Sequence, residues 1–187
     1  MTGAPEAGRP TLVVISGPAG SGKTTLAHTL AAALGCPAII RDEIKEGMVH
    51  ASPGFVPAAG DELTVRTLPV FFGVLELLLR AGVTTVAEAA FQDVVWRPRL
   101  EPLRGLAELR IVQCVVDGDV ALHRIRRRRA GNPLRRAHVD GAAGYDARQR
   151  LGHDAFDRVS IDAPQIDVDT ADGYRPGLDE IVAFVNG

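Results

Sequence analysis

The sequence predicts an α/β fold, a doubly wound parallel sheet with helices on both faces. Two observations support this prediction. Short apolar runs rich in β-branched residues alternate with amphipathic stretches at helical spacing, and most connections between them are short. The run at 11–16 (TLVVIS) is nearly continuous in apolar residues, as in a strand buried on both faces. Right-handed crossovers then bring ligands to the carboxyl ends of the strands.

The first helix follows a Gly-rich turn, with Leu26, Leu30 and Leu34 at four-residue spacing and Gly35 as its expected end. Further strands are predicted at 37–40, 83–87, 109–116 and 165–168. Further helices are predicted at 42–49, 61–81 with a kink at Pro69, 96–107, 119–129 with a cap at Asp117, and from about Pro176 onwards. Two segments interrupt this alternation, at 50–60 and 126–144, and both are candidate mobile loops over a site.

Length and composition favour one domain. The chain has 187 residues, of which 46% are hydrophobic, which suits a single core over residues 11–187 after a disordered tail at 1–10. A net charge of -2 argues against a general affinity for nucleic acid or anionic membranes. The apolar stretches are too short to span a bilayer, and the two separated cysteines fit a reducing compartment. We therefore expect a cytoplasmic protein, either a monomer or a homodimer.

The Gly-rich turn between the first strand and the first helix has the spacing GxxxxGKT. Its residues are Gly17, Pro18, Ala19, Gly20, Ser21, Gly22, Lys23 and Thr24. Glycines let consecutive N–H groups approach an anion at the helix terminus, which identifies a phosphate-binding loop. Lys23 would bridge the β- and γ-phosphates, Thr24 would ligate Mg²⁺ and Thr25 would reach the α-phosphate. A chance Gly-rich turn is disfavoured because strand, motif and helix coincide. ATP and Mg²⁺ are the expected cofactors.

Acidic residues follow the second and third predicted strands. Asp42, with Arg41 beside it, would face the γ-phosphate and the substrate, where a carboxylate can accept or orient the proton of an attacking hydroxyl. The alternative is that Asp42 only caps a helix. Glu88 would meet Mg²⁺ through water or hold a substrate hydroxyl, because a lone buried carboxylate is costly. Its alternative is a strand-end residue turned to solvent.

An arginine-rich stretch follows the fourth predicted strand. Arg124 and Arg128 share a helix face and would close over the phosphates as part of a lid at about 124–140. Further lid candidates are Arg127, Arg135 and Arg136, with His138 and Asp140 as weaker ones. A solvated basic face is the alternative for the run as a whole. A nucleic-acid patch is disfavoured because aromatic residues are not interleaved.

At these residues the sequence resembles small bacterial P-loop kinases with an AAA-type ATP-binding domain. This group includes chloramphenicol phosphotransferase, the zeta toxins, gluconate kinase and shikimate kinase. The resemblance spans nearly the whole chain, and the matching segments are GPAGSGKTT, ALGCPAIIRDEIK, LLLRAGVTTVAEAAF, HRIRRRR and QIDVDT.

The resemblance implies a P-loop NTPase three-layer sandwich with a five-stranded parallel sheet of order 2-3-1-4-5 and a helical lid. It also implies that Asp42 is the base and that Arg124 and Arg128 belong to the lid. Asp169, Thr170 and Asp172 would lie near the base of the nucleotide. The chain departs from many relatives by carrying Glu88 where they carry aspartate, and residues 49–63 match no substrate motif. Without an NKxD signature, adenine is favoured over guanine.

The sequence thus predicts an ATP-dependent kinase that phosphorylates a hydroxyl of a small molecule, such as an antibiotic, a sugar or a nucleoside-like compound. Its partner would be that acceptor, with neither nucleic acid nor membrane. The alternative is a nucleotide-dependent binding or regulatory ATPase module without a phosphoryl acceptor, which a phosphate loop alone also permits.

Overall fold

The computed structural model describes residues 8–58, 60–131 and 145–187. Its strands form one parallel sheet of order β2-β3-β1-β4-β5, which confirms the predicted fold class and strand order. The strands are β1 (Thr11–Ser16), β2 (Ala38–Ile40), β3 (Thr85–Glu88), β4 (Glu108–Val115) and β5 (Gln165–Asp169). Because β1 is central, the loop that follows it lies in the middle of the carboxyl edge of the sheet.

Helices connect the strands and cover both faces of the sheet. They are α1 (Lys23–Leu34), α2 (Arg41–His50), α3 (Glu62–Arg80), α4 (Asp93–Leu100), α5 (Gly118–Gly131), α6 (Tyr145–Asp154) and α7 (Leu178–Asn186). A 3₁₀ turn, Glu101–Gly105, follows α4. Across the three described ranges, no helix combines the length and the apolar character that a bilayer span requires.

The side chains on the two faces of β1 belong to two separate hydrophobic cores. Leu12 and Val14 belong to a core that includes Phe71 of α3, Trp96 of α4 and Phe91 just before α4, and the rings of Phe91 and Trp96 have centroids 4.8 Å apart. Val13 and Ile15 pack on the other face with side chains from α1 and α7. Apolar residues on both faces explain the continuous apolar run in the sequence.

The structure differs from the predicted elements at three places. The helix predicted at 96–107 begins at Asp93 and tightens into the 3₁₀ turn at Pro102, which has no N–H to continue an α-helix. The last helix begins at Leu178, and Pro176 lies before it. Helix α6 has no counterpart among the predicted elements, because its mixed polar sequence lacks an apolar stripe.

Parts of the predicted tail and of the predicted lid lie outside the residues that the structure describes. Of the predicted tail at 1–10, residues 1–7 lie outside them. The carbonyl of Pro10 accepts a hydrogen bond from the Glu108 N–H at 2.9 Å, at the start of β4. Residues 132–140 of the predicted lid also lie outside the described residues, together with Arg135, Arg136, His138 and Asp140.

Candidate functional site

The phosphate loop depends on glycine for both backbone conformation and space. Gly17 and Gly20 have φ angles of 145° and 78°. A Cβ at Gly17 would lie 2.6 Å from the carbonyl oxygen of Cys114, and one at Gly20 would lie 2.5 Å from the carbonyl oxygen of Ala121. The loop is therefore packed against β4 on one side and α5 on the other, and a side chain at either glycine would push these elements apart.

The start of α1 is arranged to receive an anion. Gly22 precedes the helix without a side-chain cap, and the first turn contains no acidic residue. Its N–H groups and the positive end of the helix dipole therefore face the loop uncompensated. Lys23 is buried, and its Nζ donates to the carbonyl of Pro18 at 2.9 Å across the loop. The structure thus places the lysine charge inside the turn.

Thr24 and Glu88 join α1 to β3. The Thr24 hydroxyl donates to Glu88 Oε2 at 2.8 Å, and Glu88 is only 5% exposed. Burial raises the pKa of the Glu88 carboxyl, while the charge of Lys23 and the bond from Thr24 act in the opposite direction. The alternative of a solvent-turned strand end is therefore wrong for Glu88. A hydroxyl and a carboxylate beside a phosphate loop are the hard oxygen donors that fit Mg²⁺.

Asp42 lies at the carboxyl end of β2, close enough to Glu88 for its charge to raise the pKa of that carboxyl further. Helix α2 begins at Arg41 and its N-cap is Ile40, without a side-chain cap bond. Asp42 therefore lies in the first turn of α2 and is not its cap residue. The Asp42 side chain is 47% exposed and accepts a hydrogen bond from Arg41 Nη1 at 3.0 Å.

Arg41 connects Asp42 to the start of α3. Its Nη2 donates to the carbonyl of Thr64 at 3.4 Å, and its Nε is buried without a hydrogen-bond partner among the described residues. The guanidinium thus stands between the two helices that follow β2, next to the candidate base.

A buried ion pair between Lys45 and Asp61 was not predicted. Lys45 Nζ lies 2.9 Å from Asp61 Oδ2, and the two side chains are 4% and 6% exposed. Asp61 also accepts hydrogen bonds from the N–H groups of Thr64 and Ala58. Burial would raise the pKa of Asp61, but the bonds from Lys45 and the Thr64 amide lower it to about 2. The sequence shows only that Arg41 and Lys45 are four residues apart and so share a helix face. This spacing does not indicate that Lys45 is buried or that Asp61 is its partner.

On the other side of the phosphate loop, Arg124 holds the loop that follows β5. From α5 its guanidinium donates to the Thr170 hydroxyl at 3.2 Å and to the carbonyl of Ala171 at 3.0 Å. The Thr170 hydroxyl in turn donates to the carbonyl of Ser21 at 2.8 Å. Asp169 accepts a hydrogen bond from the Ala171 N–H at 2.8 Å. These polar groups connect α5, the phosphate loop and residues 169–171.

A cavity of about 520 Å³ opens between these elements. It is lined by Gly20, Gly22, Thr25, Arg124, Arg127, Arg128, Thr170, Gly173 and Tyr174. Its volume is within the range of small-molecule sites, and its position at the start of α1 suits the sugar and base of a nucleotide. Asp172 is exposed and is not among the lining residues.

Ion pairs connect α5 to α6 beyond this cavity. Arg126 lies 2.9 Å from Asp146, with side chains 59% and 40% exposed, and Arg150 pairs with Asp119. The structure thus brings together Asp42, Glu88 and the phosphate loop on one side and Arg124, Thr170 and Asp169 on the other.

Several solved structures share this fold. A protein of Chloroflexus aurantiacus designated a candidate kinase is 23% identical, with a TM-score of 0.83, 96% of this chain and 98% of that chain being covered. Kti12 of Chaetomium thermophilum, in complex with ADP-AlF3, is 16% identical with a TM-score of 0.65, covering 94% and 100%. A gluconokinase of Sinorhizobium meliloti is 18% identical with a TM-score of 0.58, covering 95% and 93%.

No protein with a curated description is significantly similar in sequence. A family model described as an AAA domain, AAA_33, matches residues 12–152, a range that includes the phosphate loop, Asp42, Glu88 and Arg124. The chain has the fold of small P-loop kinases and belongs to the AAA_33 family of AAA domains.

Proposed function

We propose that the protein is an ATP-dependent phosphotransferase that moves the γ-phosphate of ATP to a hydroxyl of a small molecule. The supporting observation is the position of Asp42. It stands half-exposed at the end of β2, and its charge acts on the buried Glu88, which bonds to Thr24 of the phosphate loop. A carboxylate in that position can meet the hydroxyl that attacks the terminal phosphate.

The residues have distinct roles in this reaction. The loop N–H groups and Lys23 hold the phosphates, and Asp42 orients the acceptor hydroxyl and takes its proton. A bond forms between the acceptor oxygen and the γ-phosphorus, while the bond from that phosphorus to the β–γ bridging oxygen breaks and ADP leaves. Thr24 and Glu88 would hold Mg²⁺. When bound, that ion neutralises charge on the phosphate oxygens.

The cavity at the start of α1 would take the nucleoside part of ATP. Thr25 lines it close to the phosphate loop, and Arg124 and Arg128 bring positive charge to its α5 wall. Thr170 lines the cavity and would lie near the base, whereas Asp169 and Asp172, which the sequence also predicted near the base, do not line it. ADP-AlF3 bound to Kti12, a protein of the same fold, supports a nucleotide ligand.

The acceptor would bind beside Asp42, between α2 and the start of α3. Arg41 would contact an oxygen-rich group of the acceptor there. If Glu88 does not hold Mg²⁺, its carboxylate would instead bind a second hydroxyl of the acceptor. The fold shared with a gluconokinase supports a polyhydroxylated acceptor, and antibiotic, sugar and nucleoside-like compounds all offer suitable hydroxyls.

A transfer assay tests this proposal. The protein is incubated with γ-labelled ATP, Mg²⁺ and a panel of sugars, nucleosides and hydroxyl-bearing antibiotics. We expect one acceptor class to gain label, and Asp42→Asn to lower the rate by about 100-fold or more, as loss of a general base does. Glu43→Gln is the matched control, because Glu43 is adjacent but pairs with His28. An unlabelled panel, with ATP hydrolysis unaffected by Asp42→Asn, would rule the kinase out.

The second candidate is a nucleotide-dependent binding module that hydrolyses ATP slowly and has no phosphoryl acceptor. The likeness of the fold to Kti12, solved in complex with ADP-AlF3, supports it. This function predicts a partner protein retained only by the ATP-loaded state. It also predicts that Asp42→Asn leaves partner binding intact.

A further inference from the structure

Two side chains on one face of α2 contact the start of α3. Arg41 and Lys45 are one helical turn apart, and they reach Thr64 and Asp61 respectively. Asp42, the proposed base, directly follows Arg41 in the same turn of α2. The contacts that hold α2 against α3 are thus made from the same turn of α2 as Asp42.

The carboxylate of Asp61 joins three separate parts of the chain. It accepts from Lys45 Nζ in α2 at 2.9 Å, from the N–H of Thr64 in the first turn of α3 at 2.7 Å, and from the N–H of Ala58 at 3.2 Å. Ala58 belongs to the connection between the two helices. The three hydrogen bonds to Asp61 thus come from different segments around the proposed acceptor site.

Stability alone is a weak reason for such a pair. A buried ion pair often contributes no more to folding than apolar side chains of similar volume, because both charges must leave water. An ion pair with additional hydrogen bonds does, however, restrict the direction from which its partners approach. Leu63, Phe71 and Leu75 already supply an apolar core along α3, so burial of further apolar surface was available at this position.

We propose that Lys45 and Asp61 are positioning residues of the phosphotransfer site. Their buried ion pair sets α2, and with it Arg41 and Asp42, against the start of α3 before any ligand binds. This inference rests on the proposed function, because it assigns to the pair an effect that acts through Asp42. In this role the buried pair would act through Asp42 without contacting the phosphates or the acceptor.

The test uses the full chain and a variant that removes both charges, Lys45→Met with Asp61→Asn. The asparagine oxygen retains an acceptor for the Thr64 amide, so the start of α3 keeps its cap. The matched control is Glu62→Gln with Arg66→Met, which removes an exposed ion pair from the same helix. Three quantities are measured: ATP hydrolysis with water as the acceptor, affinity for a non-hydrolysable ATP analogue, and amide hydrogen exchange of residues 41–50.

We expect the double variant to bind the analogue as tightly as the wild type and to exchange α2 amides faster. The part of the hydrolysis rate that Asp42→Asn abolishes should fall by about tenfold, because small displacements of a reacting group are costly. Lys45→Arg, which keeps the charge opposite Asp61, should restore most of the exchange protection. The control variant should match the wild type in all three measurements.

The outcomes separate this inference from the proposed function. Wild-type hydrolysis and exchange in a folded double variant would overturn the positioning role, and so would a Lys45→Arg variant as impaired as the double variant. If Asp42→Asn in the otherwise unaltered chain leaves hydrolysis unchanged, the proposed role of Asp42 fails. Exchange at residues 41–50 then decides by itself whether the pair positions α2.

Discussion

The two sides of the phosphate loop are built with different kinds of ion pairs. On the side of Asp42, Lys45 and Asp61 are almost completely buried and have further hydrogen bonds. On the side of α5 and α6, Arg126 and Asp146 are about half exposed. Buried pairs are little screened and costly to break, whereas exposed pairs contribute little and weaken with salt. We therefore expect the proposed acceptor side to be fixed on folding and the predicted lid side to be easier for a ligand to rearrange.

The largest difference between the two sides should appear when one charge is removed from each. Lys45→Met leaves the carboxylate of Asp61 buried without its counter-charge, and we expect a loss of about 3–5 kcal/mol in the free energy of unfolding. Arg126→Met should cost less than about 1 kcal/mol. Urea unfolding of both variants measures the difference. Equal losses would mean that burial does not distinguish the two sides.

Loss of the Arg124 side chain should weaken nucleotide binding without affecting the proposed acceptor side. Arg124→Ala removes the bonds that hold residues 170 and 171, and we expect affinity for an ATP analogue to fall by about tenfold, or about 1.4 kcal/mol. Arg127→Ala is the control, because Arg127 lines the same cavity and is exposed. Calorimetric titration gives both affinities. Similar losses in the two variants would favour a general charge effect over a held loop.

A smaller effect should appear in the pH dependence of stability. The folded-state pKa of Asp61 is about 2, below the ordinary value of 3.8. A lowered carboxyl pKa means that the contribution of Asp61 is complete above the ordinary value and is lost as pH falls from about 4 to about 2. Unfolding free energies of the wild type should therefore decline more steeply below about pH 4 than those of Asp61→Asn. Parallel curves for the two proteins would contradict this assignment.

Much of the fold was predictable because its signals are local. The apolar run of β1 and the GxxxxGKT spacing each occupy fewer than ten consecutive residues, and the structure has both as expected. The motif spacing predicted that the phosphate loop needs glycines with positive φ, and Gly17, Gly20 and Gly22 have them. The close approach of Ala121 to Gly20 was not predictable, since it depends on how α5 packs against the loop.

Parts of the site could not be predicted, because they also depend on how distant segments pack together. Whether Asp42 caps α2 depends on where the helix begins, and Ile40 rather than Asp42 occupies the cap position. Whether Glu88 faces solvent depends on its neighbours in β1 and β2, Ile15 and Ile40. Arg124 was predicted as a lid residue, yet its bonds to residues 170 and 171 became visible only once β5 and α5 were placed together.

The order of the strands and of every helix except α6, the phosphate loop and the residue types at the strand ends were all predictable from the sequence, because each of these follows from neighbours along the chain. Which charges are buried and paired depends instead on how the helices pack. Lys45 and Asp61 are sixteen residues apart, and nothing in either local sequence indicates that α2 and α3 close over them. Burial changes the strength of a charge interaction severalfold, so the tertiary structure also decides which ion pairs can position the site.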